Sequence, residues 1–223
     1  TFQMLKLRTA YGETGILPTR TAAIPALFGT TTTGYGVGAR ISGVGNPLIR
    51  PERVSEWEIG IEAEFRNFLS VDFSYYRQNA TDSIFGRTKV PSAGYERKAF
   101  SDNIGKIEGQ GIESMVQLFF NGSQLGGWSL NLTNITNWMD NEVKDLGGGA
   151  PTYNHGAFAI EEGFPRGYIH TFKGIGAIFD EDGKFLKAKI SEERVSVGHE
   201  FPPWYGSQSA IFSAFGFTAY AML

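Results

Sequence analysis

Cysteine is absent from the 223-residue sequence, and its absence excludes several kinds of site. Disulfide bridges, thiol nucleophiles and cysteine-ligated metals all require that residue. Histidine is scarce too: His155, His170 and His199 lie in loop-like sequence without the spacing of metal ligands, so we predict no metal site. No other pattern indicates a catalytic residue or a cofactor, and we do not expect an enzyme.

An excess of positive charge and a long apolar segment are also missing. The chain carries 20 Lys and Arg against 23 Asp and Glu, whereas a nucleic-acid-binding domain shows a basic patch; we expect no nucleic acid as a partner. No apolar run approaches the ~20 residues that a membrane-spanning helix needs. A membrane protein is still possible, because a barrel strand needs only ~9–11 residues, of which every second one can be polar.

Glycine, phenylalanine and alternating patterns are abundant. The chain contains 29 Gly and 18 Phe, which suits sheets with tight turns and aromatic girdles. Residues 56–65 alternate between an apolar and a polar side, and residues 69–76 repeat the pattern after a short turn at 66–68. Two strands joined so closely form an antiparallel hairpin.

About seven strands are predicted by this alternation, and no helical stripe appears. The other strands lie near residues 5–11, 112–120, 128–138, 205–214 and 217–223. We therefore predict an all-β fold with antiparallel strands.

The connections between the predicted strands are alternately short and long. The short turns lie near Asn67, Gly122 and Gly216. The long connections lie at about residues 13–55, 90–103 and 146–203. Short turns and long loops alternate in the same way in outer-membrane barrels. The strands that flank 146–203 must run in opposite directions, so that segment holds either no barrel strand or an even number.

The polar side of the strand at 56–65 carries four carboxylates: Glu56, Glu58, Glu62 and Glu64. Paired carboxylates can serve a glycosidase, but nothing in the sequence raises a pKa there, and alternation places these side chains along one wall. We predict that they face a water-filled lumen. The outside of a soluble β-sandwich would hydrate them equally well, and the apolar side of the strand would then face a protein core.

Residues 180–184, with the sequence DEDGK, superficially resemble a calcium-binding loop. The bidentate Glu that follows at EF-hand spacing is missing. Because Asp-Gly is common in hairpin turns, we predict a turn here.

Several short segments form an ordered set along nearly the whole chain. They are LKLRTAYGETG (5–15), GNPLIRPER (45–53) followed by EWEIG (56–60), NIGKI (103–107) leading to GQGIE (109–113), EGFPRG (162–167) and PPWYGS (202–207). This set resembles the C-terminal part of the barrel of SusC/RagA-like TonB-dependent receptors, which are outer-membrane transporters.

The resemblance implies that residues 1–223 form part of a transmembrane β-barrel of about 22 strands. The plug domain, the TonB box and the usual terminal strand with its final aromatic residue are not in this sequence, which begins at Thr1 without an initiator Met or a signal segment. About seven strands cannot close such a barrel, and open edges in lipid leave backbone groups unsatisfied. We therefore expect a mature or internal piece of a longer protein.

The resemblance also implies a function and partners. The function is TonB-dependent import of a bulky nutrient (a glycan, a peptide or a metal chelate) across the outer membrane of a Gram-negative bacterium. The partners are outer-membrane lipids, the rest of the barrel and its plug, TonB through the missing N-terminal part, and a surface lipoprotein. As an alternative, the chain is a structural or interaction component of the cell surface built from a barrel-derived segment.

Four aromatic residues lie where predicted strands meet long connections: Trp138, Tyr153, Tyr168 and Trp204. They could bind substrate by stacking on a sugar or another ligand. They could equally form the aromatic girdle that marks a membrane interface. The sequence leaves both interpretations open.

Overall fold

The computed structural model describes residues 2–24, 26–33, 36–43, 45–88, 99–123, 127–148, 152–154 and 158–223. Within these ranges no helix is long and apolar enough to cross a membrane. The described residues form thirteen strands. They are β1 (Phe2–Ile16), β2 (Ala26–Thr33), β3 (Gly36–Gly43), β4 (Glu52–Phe65), β5 (Leu69–Thr88), β6 (Ala99–Gly122), β7 (Trp128–Asp145), β8 (Thr152–Asn154), β9 (Phe158–Ile160), β10 (Tyr168–Phe179), β11 (Phe185–His199), β12 (Trp204–Ala214) and β13 (Phe217–Met222).

Seven of these strands form one large antiparallel sheet in the order β1-β4-β5-β6-β7-β12-β13. They are the seven strands that the alternating pattern predicts. The prediction of an all-β, antiparallel fold is confirmed.

The other strands lie in two insertions between neighbours of the large sheet. A two-stranded sheet, β2-β3, lies in the connection from β1 to β4. A four-stranded sheet in the order β11-β10-β9-β8 lies in the connection from β7 to β12. As the parity of strand directions requires, the described part of 146–203 adds no strand to the large sheet.

The strands of the large sheet extend into the ranges that the sequence assigns to loops. β1 continues to Ile16, β4 begins at Glu52, and β6 begins at Ala99. The apolar–polar alternation stops before the strands end, because both sides of these extensions carry polar residues. The backbone hydrogen bonds between the strands continue. The connection between β5 and β6, residues 89–98, lies outside the described residues.

Tight turns close one end of the large sheet. In the turn between β4 and β5, Arg66 and Asn67 have φ angles of 48° and 55°; in the turn between β12 and β13, Phe215 and Gly216 have φ angles of 52° and 78°. Two successive positive φ angles are typical of hairpin turns whose twist matches the flanking strands. The β12–β13 connection has two residues, and the β4–β5 connection has three, with the N–H of Phe68 donating to the carbonyl oxygen of Phe65 at 3.1 Å. We call this end the short-turn end and the opposite end the long-loop end.

The predicted turn at 180–184 is confirmed between β10 and β11. The backbone N–H of Asp180 donates to the carbonyl oxygen of Lys184 at 2.9 Å, and the N–H of Lys184 donates to Oδ1 of Asp180 at 2.7 Å. Gly183 has a φ of 79°, a value that favours glycine. Asp180 therefore caps the hairpin with its side chain.

A small apolar core lies near the long-loop end of the large sheet. It consists of Phe85, Ile107, Val143 and Leu146, against which Ile160 of the inserted sheet packs. These residues lie where β5, β6 and β7 continue toward the inserted segments. The core joins the β8–β11 insertion to the large sheet.

Candidate functional site

The large sheet has two chemically different faces. Direct cross-strand partners point to the same side of a sheet, so the register sorts the side chains into rows. One face carries Trp57, Ile59 and Ile61, and we call it the apolar face. The other carries Glu56, Glu58, Glu62 and Glu64, and we call it the polar face; the alternation predicted for β4 is thus present.

A band without charged side chains crosses the apolar face. In the rows between Trp128 and Trp138, the apolar face of β4 to β7 and β12 carries no Asp, Glu, Lys, Arg or His. The residues in these rows are Ile59, Ile61, Ala63 and Phe65; Leu69, Val71, Phe73 and Tyr75; Ile112, Ser114, Val116, Leu118 and Phe120; Leu130, Leu132, Asn134 and Thr136; and Gly206, Gln208, Ala210 and Phe212. Ten residue steps along β7 correspond to about 33 Å of strand, or about 25 Å of height at a barrel tilt, which is the height of a membrane-spanning apolar band.

Trp138 and Trp204 mark the margin of this band that lies nearer the long-loop end, and we call this its upper margin. They are direct partners on β7 and β12, and their ring centroids lie 6.1 Å apart with the planes tilted by 40°. Their row continues through Ile112, Tyr75 and Ile59 on the apolar face. Both tryptophans therefore point away from the face that carries the glutamates.

Charged residues return on the same face directly above the tryptophan row. Glu108 lies 3.0 Å from Lys106 and 3.2 Å from Arg77. The hydrogen bond from Lys106, with a smaller contribution from Arg77, holds the pKa of Glu108 below its ordinary value. The return of ion pairs at this height marks the end of the apolar band.

Tyr168 and Tyr153 lie in the inserted sheet. Tyr168 is only 2% exposed, donates a hydrogen bond to Glu161, and stacks on Phe164 with ring centroids 4.6 Å apart. The Tyr168 ring is therefore enclosed by its own segment and has no open face for a ligand. Tyr153 pairs with Ala159 through its backbone, and its side chain lies outside the described part of the chain.

A network of ion pairs crosses three strands on the polar face. The guanidinium of Arg8 on β1 contacts Glu62 at 2.6 Å, Asp72 at 2.8 Å and Glu58 at 3.5 Å. It also donates to Oγ of Ser74 at 2.5 Å. These contacts tie β1, β4 and β5 together within the height of the apolar band on the opposite face.

Two of the four predicted lumen-facing glutamates belong to this network and two do not. Glu58 and Glu62 are bound by Arg8, and Lys6 contacts Glu62 at 3.1 Å. Glu56 accepts a hydrogen bond from the Gln78 amide at 3.3 Å. Neither Glu56 nor Glu64 forms an ion pair with any described residue. The wall thus keeps free negative charge.

A cavity of about 630 Å³ lies at the long-loop end of the sheet. Strand residues Tyr76, Gln78 and Met139 of the polar face line it together with Arg166, Glu200 and Phe201 from the β7–β12 connection. Tyr76 lies flat against the wall because its neighbour is Gly111, where a Cβ would come within 2.4 Å of the ring. Aromatic, thioether, amide and charged groups of both signs meet there, so the cavity can contact a ligand of mixed polarity.

The sequence predicts none of the residues that line this cavity. Tyr76 and Gln78 follow the alternation of β5 like any other polar-face residues. Arg166 reaches the cavity because its backbone N–H donates to Oδ1 of Asn141 at 2.8 Å, and Glu200 because its N–H donates to the carbonyl of Gly167 at 3.2 Å. Several lining residues belong to the motifs described above, among them Arg166 in EGFPRG and Glu52 in the segment at 45–53, but the motifs did not indicate a shared cavity.

The EGFPRG motif fastens the insertion to β7. Glu162 accepts a hydrogen bond from the backbone N–H of Leu146 at 2.7 Å. The backbone of Val143 exchanges hydrogen bonds with Gly163 and Phe164, each at 2.9 Å. Gly163 and Gly167 have positive φ angles, 84° and 76°. The motif therefore sets the position of the segment that lines the cavity.

Metal ligation finds no support in the described residues. They contain no group of three or more His, Asp or Glu side chains arranged to hold a metal ion. His155 lies outside the described residues.

Comparison with known proteins identifies the family. A family model described as TonB dependent receptor-like, beta-barrel matches residues 3–188. The chain belongs to this family. It is a family of receptors and not of enzymes. The prediction of a TonB-dependent receptor barrel segment is confirmed.

Solved structures share the fold of this chain. The RagAB peptide importer in the closed-closed state matches with 20% identity and a TM-score of 0.74, the RagAB peptide transporter with 21% and 0.73, and the importer in the open-open state with 18% and 0.73. Each match covers 99% of this chain and 26% of the solved chain. The chain thus spans about a quarter of the length of those proteins. No curated protein matches it.

Proposed function

We propose that the chain forms part of the wall of an outer-membrane, TonB-dependent transporter that imports a bulky nutrient. The distribution of charge between the two faces of the large sheet carries this proposal. Over the same height, the apolar face of β4 to β7 and β12 has no charged side chain, while the polar face carries the Arg8 network and the glutamates of β4.

The physical reason is the difference between lipid and water as surroundings. An Arg or Lys on the lipid-facing side of a barrel costs about 2–4 kcal/mol at the middle of the bilayer. The same charge in a water-filled lumen stays hydrated. In a soluble β-sandwich this face would be covered by a second sheet, whereas Ile59, Phe73 and Phe212 of the band are 45%, 37% and 44% exposed. The apolar face therefore suits acyl chains, and the polar face suits the lumen.

In this orientation the cavity at the long-loop end opens toward the cell exterior, because outer-membrane barrels have short periplasmic turns and long extracellular loops. We assign ligand contact to Tyr76, Met139 and Arg166. Trp138 and Trp204 lie on the opposite face, which favours their role in the girdle over ligand stacking. The plug and TonB, which lie outside this sequence, would supply gating and energy, and a surface lipoprotein is the expected external partner.

Nutrient uptake tests the proposal in the full-length protein. A strain lacking the gene should lose uptake of one class of nutrient among labelled glycans, peptides and metal chelates. Complementation with wild type should restore uptake, and the Met139→Ala, Arg166→Ala double variant should restore it several-fold less well. Thr133→Ala, on the same face of β7 but remote from the cavity, is the matched control.

Two outcomes separate the alternatives. Undiminished uptake of all three classes in the deletion strain would reject transport and support a structural component of the cell surface. Normal uptake by the double variant, with transport dependent on the gene, would reject the cavity as the ligand site but not the transport function.

A further inference from the structure

The apolar face contains a trough between β6, β7, β12 and β13. Its volume is about 360 Å³. The trough exists because Ala210 and Ala221, which are direct partners, lie in the same row as the much larger Leu118 and Leu132. Short side chains thus form the floor on one side and leucines form the wall on the other.

An amide pair lies at the upper end of the trough. Asn134 and Gln208 are direct partners on β7 and β12, and both contribute to its lining. They are the only amide side chains within the band of β4 to β7 and β12. Asn134 accepts a hydrogen bond from Oγ1 of Thr136 at 3.0 Å, whereas the Gln208 side chain bonds to no described residue.

These amides conflict with a surrounding of plain hydrocarbon. A buried amide without a hydrogen-bond partner is costly, and acyl tails offer neither donors nor acceptors. Asn134 lies four residues from Trp138 along β7, which places it about 10 Å deeper than the girdle in a tilted barrel. The occupant of the trough must therefore be apolar along its length and polar near its upper end.

We propose that the trough binds one lipid acyl chain that carries a hydroxyl or carbonyl group, with Asn134 and Gln208 bonding that group. This inference rests on the membrane location proposed above, since lipid is what meets the apolar face there. A second copy of the chain fits less well, because a two-fold contact would place one concave trough against the other.

Lipid retention by the full-length protein tests this assignment. The protein is purified from outer membranes in mild detergent, and its bound lipids are quantified by mass spectrometry. Gln208→Leu removes the amide at similar size, and Ala221→Phe fills the trough. The matched controls are Gln117→Leu on the polar face and Ala219→Phe, which lies one row lower on the same strand and face.

Both test variants should retain several-fold less of one lipid than wild type, and both controls should retain it fully. Equal retention in all five proteins would overturn the proposal. A wild-type dimer that dissociates in Ala221→Phe without any loss of lipid would overturn it in favour of a second copy. If the protein is absent from the outer membrane, both proposals are overturned. If the protein takes up nutrient normally and the two test variants retain as much lipid as wild type, this proposal alone is overturned.

Discussion

The guanidinium of Arg8 lies across the backbone of Gly60. The two residues are direct partners on β1 and β4, and a Cβ on Gly60 would lie 2.6 Å from Nε of Arg8. Glycine at this position leaves the space through which the arginine reaches β5. The EWEIG motif thus ends in a residue whose lack of a side chain allows an ion-pair network to form.

Gly60→Ala should therefore disrupt the network. The new methyl group would displace Arg8 from Glu62 and Asp72, which leaves Asp72 without an ion pair to any described residue and Glu62 with Lys6 alone. Overpacking of this kind costs about 1–3 kcal/mol, which should appear as a lower urea midpoint of the full-length protein folded in lipid vesicles.

Gly12→Ala is the control for this substitution. Gly12 lies on β1, on the polar face that also carries Arg8 and Gly60, and a Cβ there would meet nothing within 4 Å. If Gly12→Ala and Gly60→Ala have equal urea midpoints, the close approach of Arg8 to Gly60 contributes nothing to stability.

Opposite orientations of neighbouring residues on β7 give a second prediction. Leu132 belongs to the apolar face and Thr133 to the polar face. Leu132→Arg should destabilise the barrel in vesicles by about 2–4 kcal/mol, because it places a charge near the middle of the bilayer. Thr133→Arg should have a much smaller effect, because its charge enters the lumen. Equal effects would contradict the assignment of the two faces.

The alternating pattern was enough to predict the large sheet. In β4, each second residue from Trp57 to Phe65 is apolar, and the register with β5 keeps these residues on one face. The pattern could not predict the upper parts of β5 and β6. There, residues such as Asn79 and Glu108 on one face are as polar as Gln78 on the other. The apolar–polar period of two therefore disappears, although the backbone hydrogen bonds between β5 and β6 continue.

The candidate site was less predictable than the fold. Alternation placed Glu56 and Glu58 on one wall, but it could not show that Arg8, about fifty residues away in sequence, binds Glu58. The aromatic residues near strand ends looked alike in sequence. Only the register separates Trp138, on the apolar face, from Met139, which lines the cavity on the other.

The tryptophan pair yields a third prediction. If Trp138 and Trp204 form a girdle, Trp138→Ala and Trp204→Ala should each lower the urea midpoint in vesicles. A double-mutant cycle should give a coupling of about 0.5–1.5 kcal/mol, the usual range for an aromatic pair.

Nutrient uptake by the correctly folded fraction should stay unchanged in both tryptophan variants, in contrast to Met139→Ala on the next residue. A selective loss of uptake without loss of stability would instead support ligand stacking by the tryptophans.

Asn103, the first residue of the NIGKI motif, tethers the segment at 45–51 to the top of β5 and β6. Its Nδ2 donates to the carbonyl oxygens of Arg50 and Asp82, both at 2.8 Å, and its Oδ1 accepts from the N–H of Arg50 at 2.7 Å. The segment at 45–53 and the NIGKI motif are therefore bound to each other through Asn103.

Asn103→Ala removes all three hydrogen bonds, each of which contributes about 0.5–1.5 kcal/mol. The segment, which Asn46 and the Arg50–Asp82 ion pair still hold, should then loosen and become more sensitive to protease near Leu48, which is already 82% exposed. Asn103→Asp should behave similarly, because its carboxylate would face two carbonyl oxygens with no proton to donate. Asn121→Ala, at the short-turn end, should leave the cleavage rate at its wild-type value. Since the barrel strands below remain paired, cleavage at 45–51 should precede global unfolding. A wild-type cleavage rate in both Asn103 variants would show instead that other contacts hold the segment.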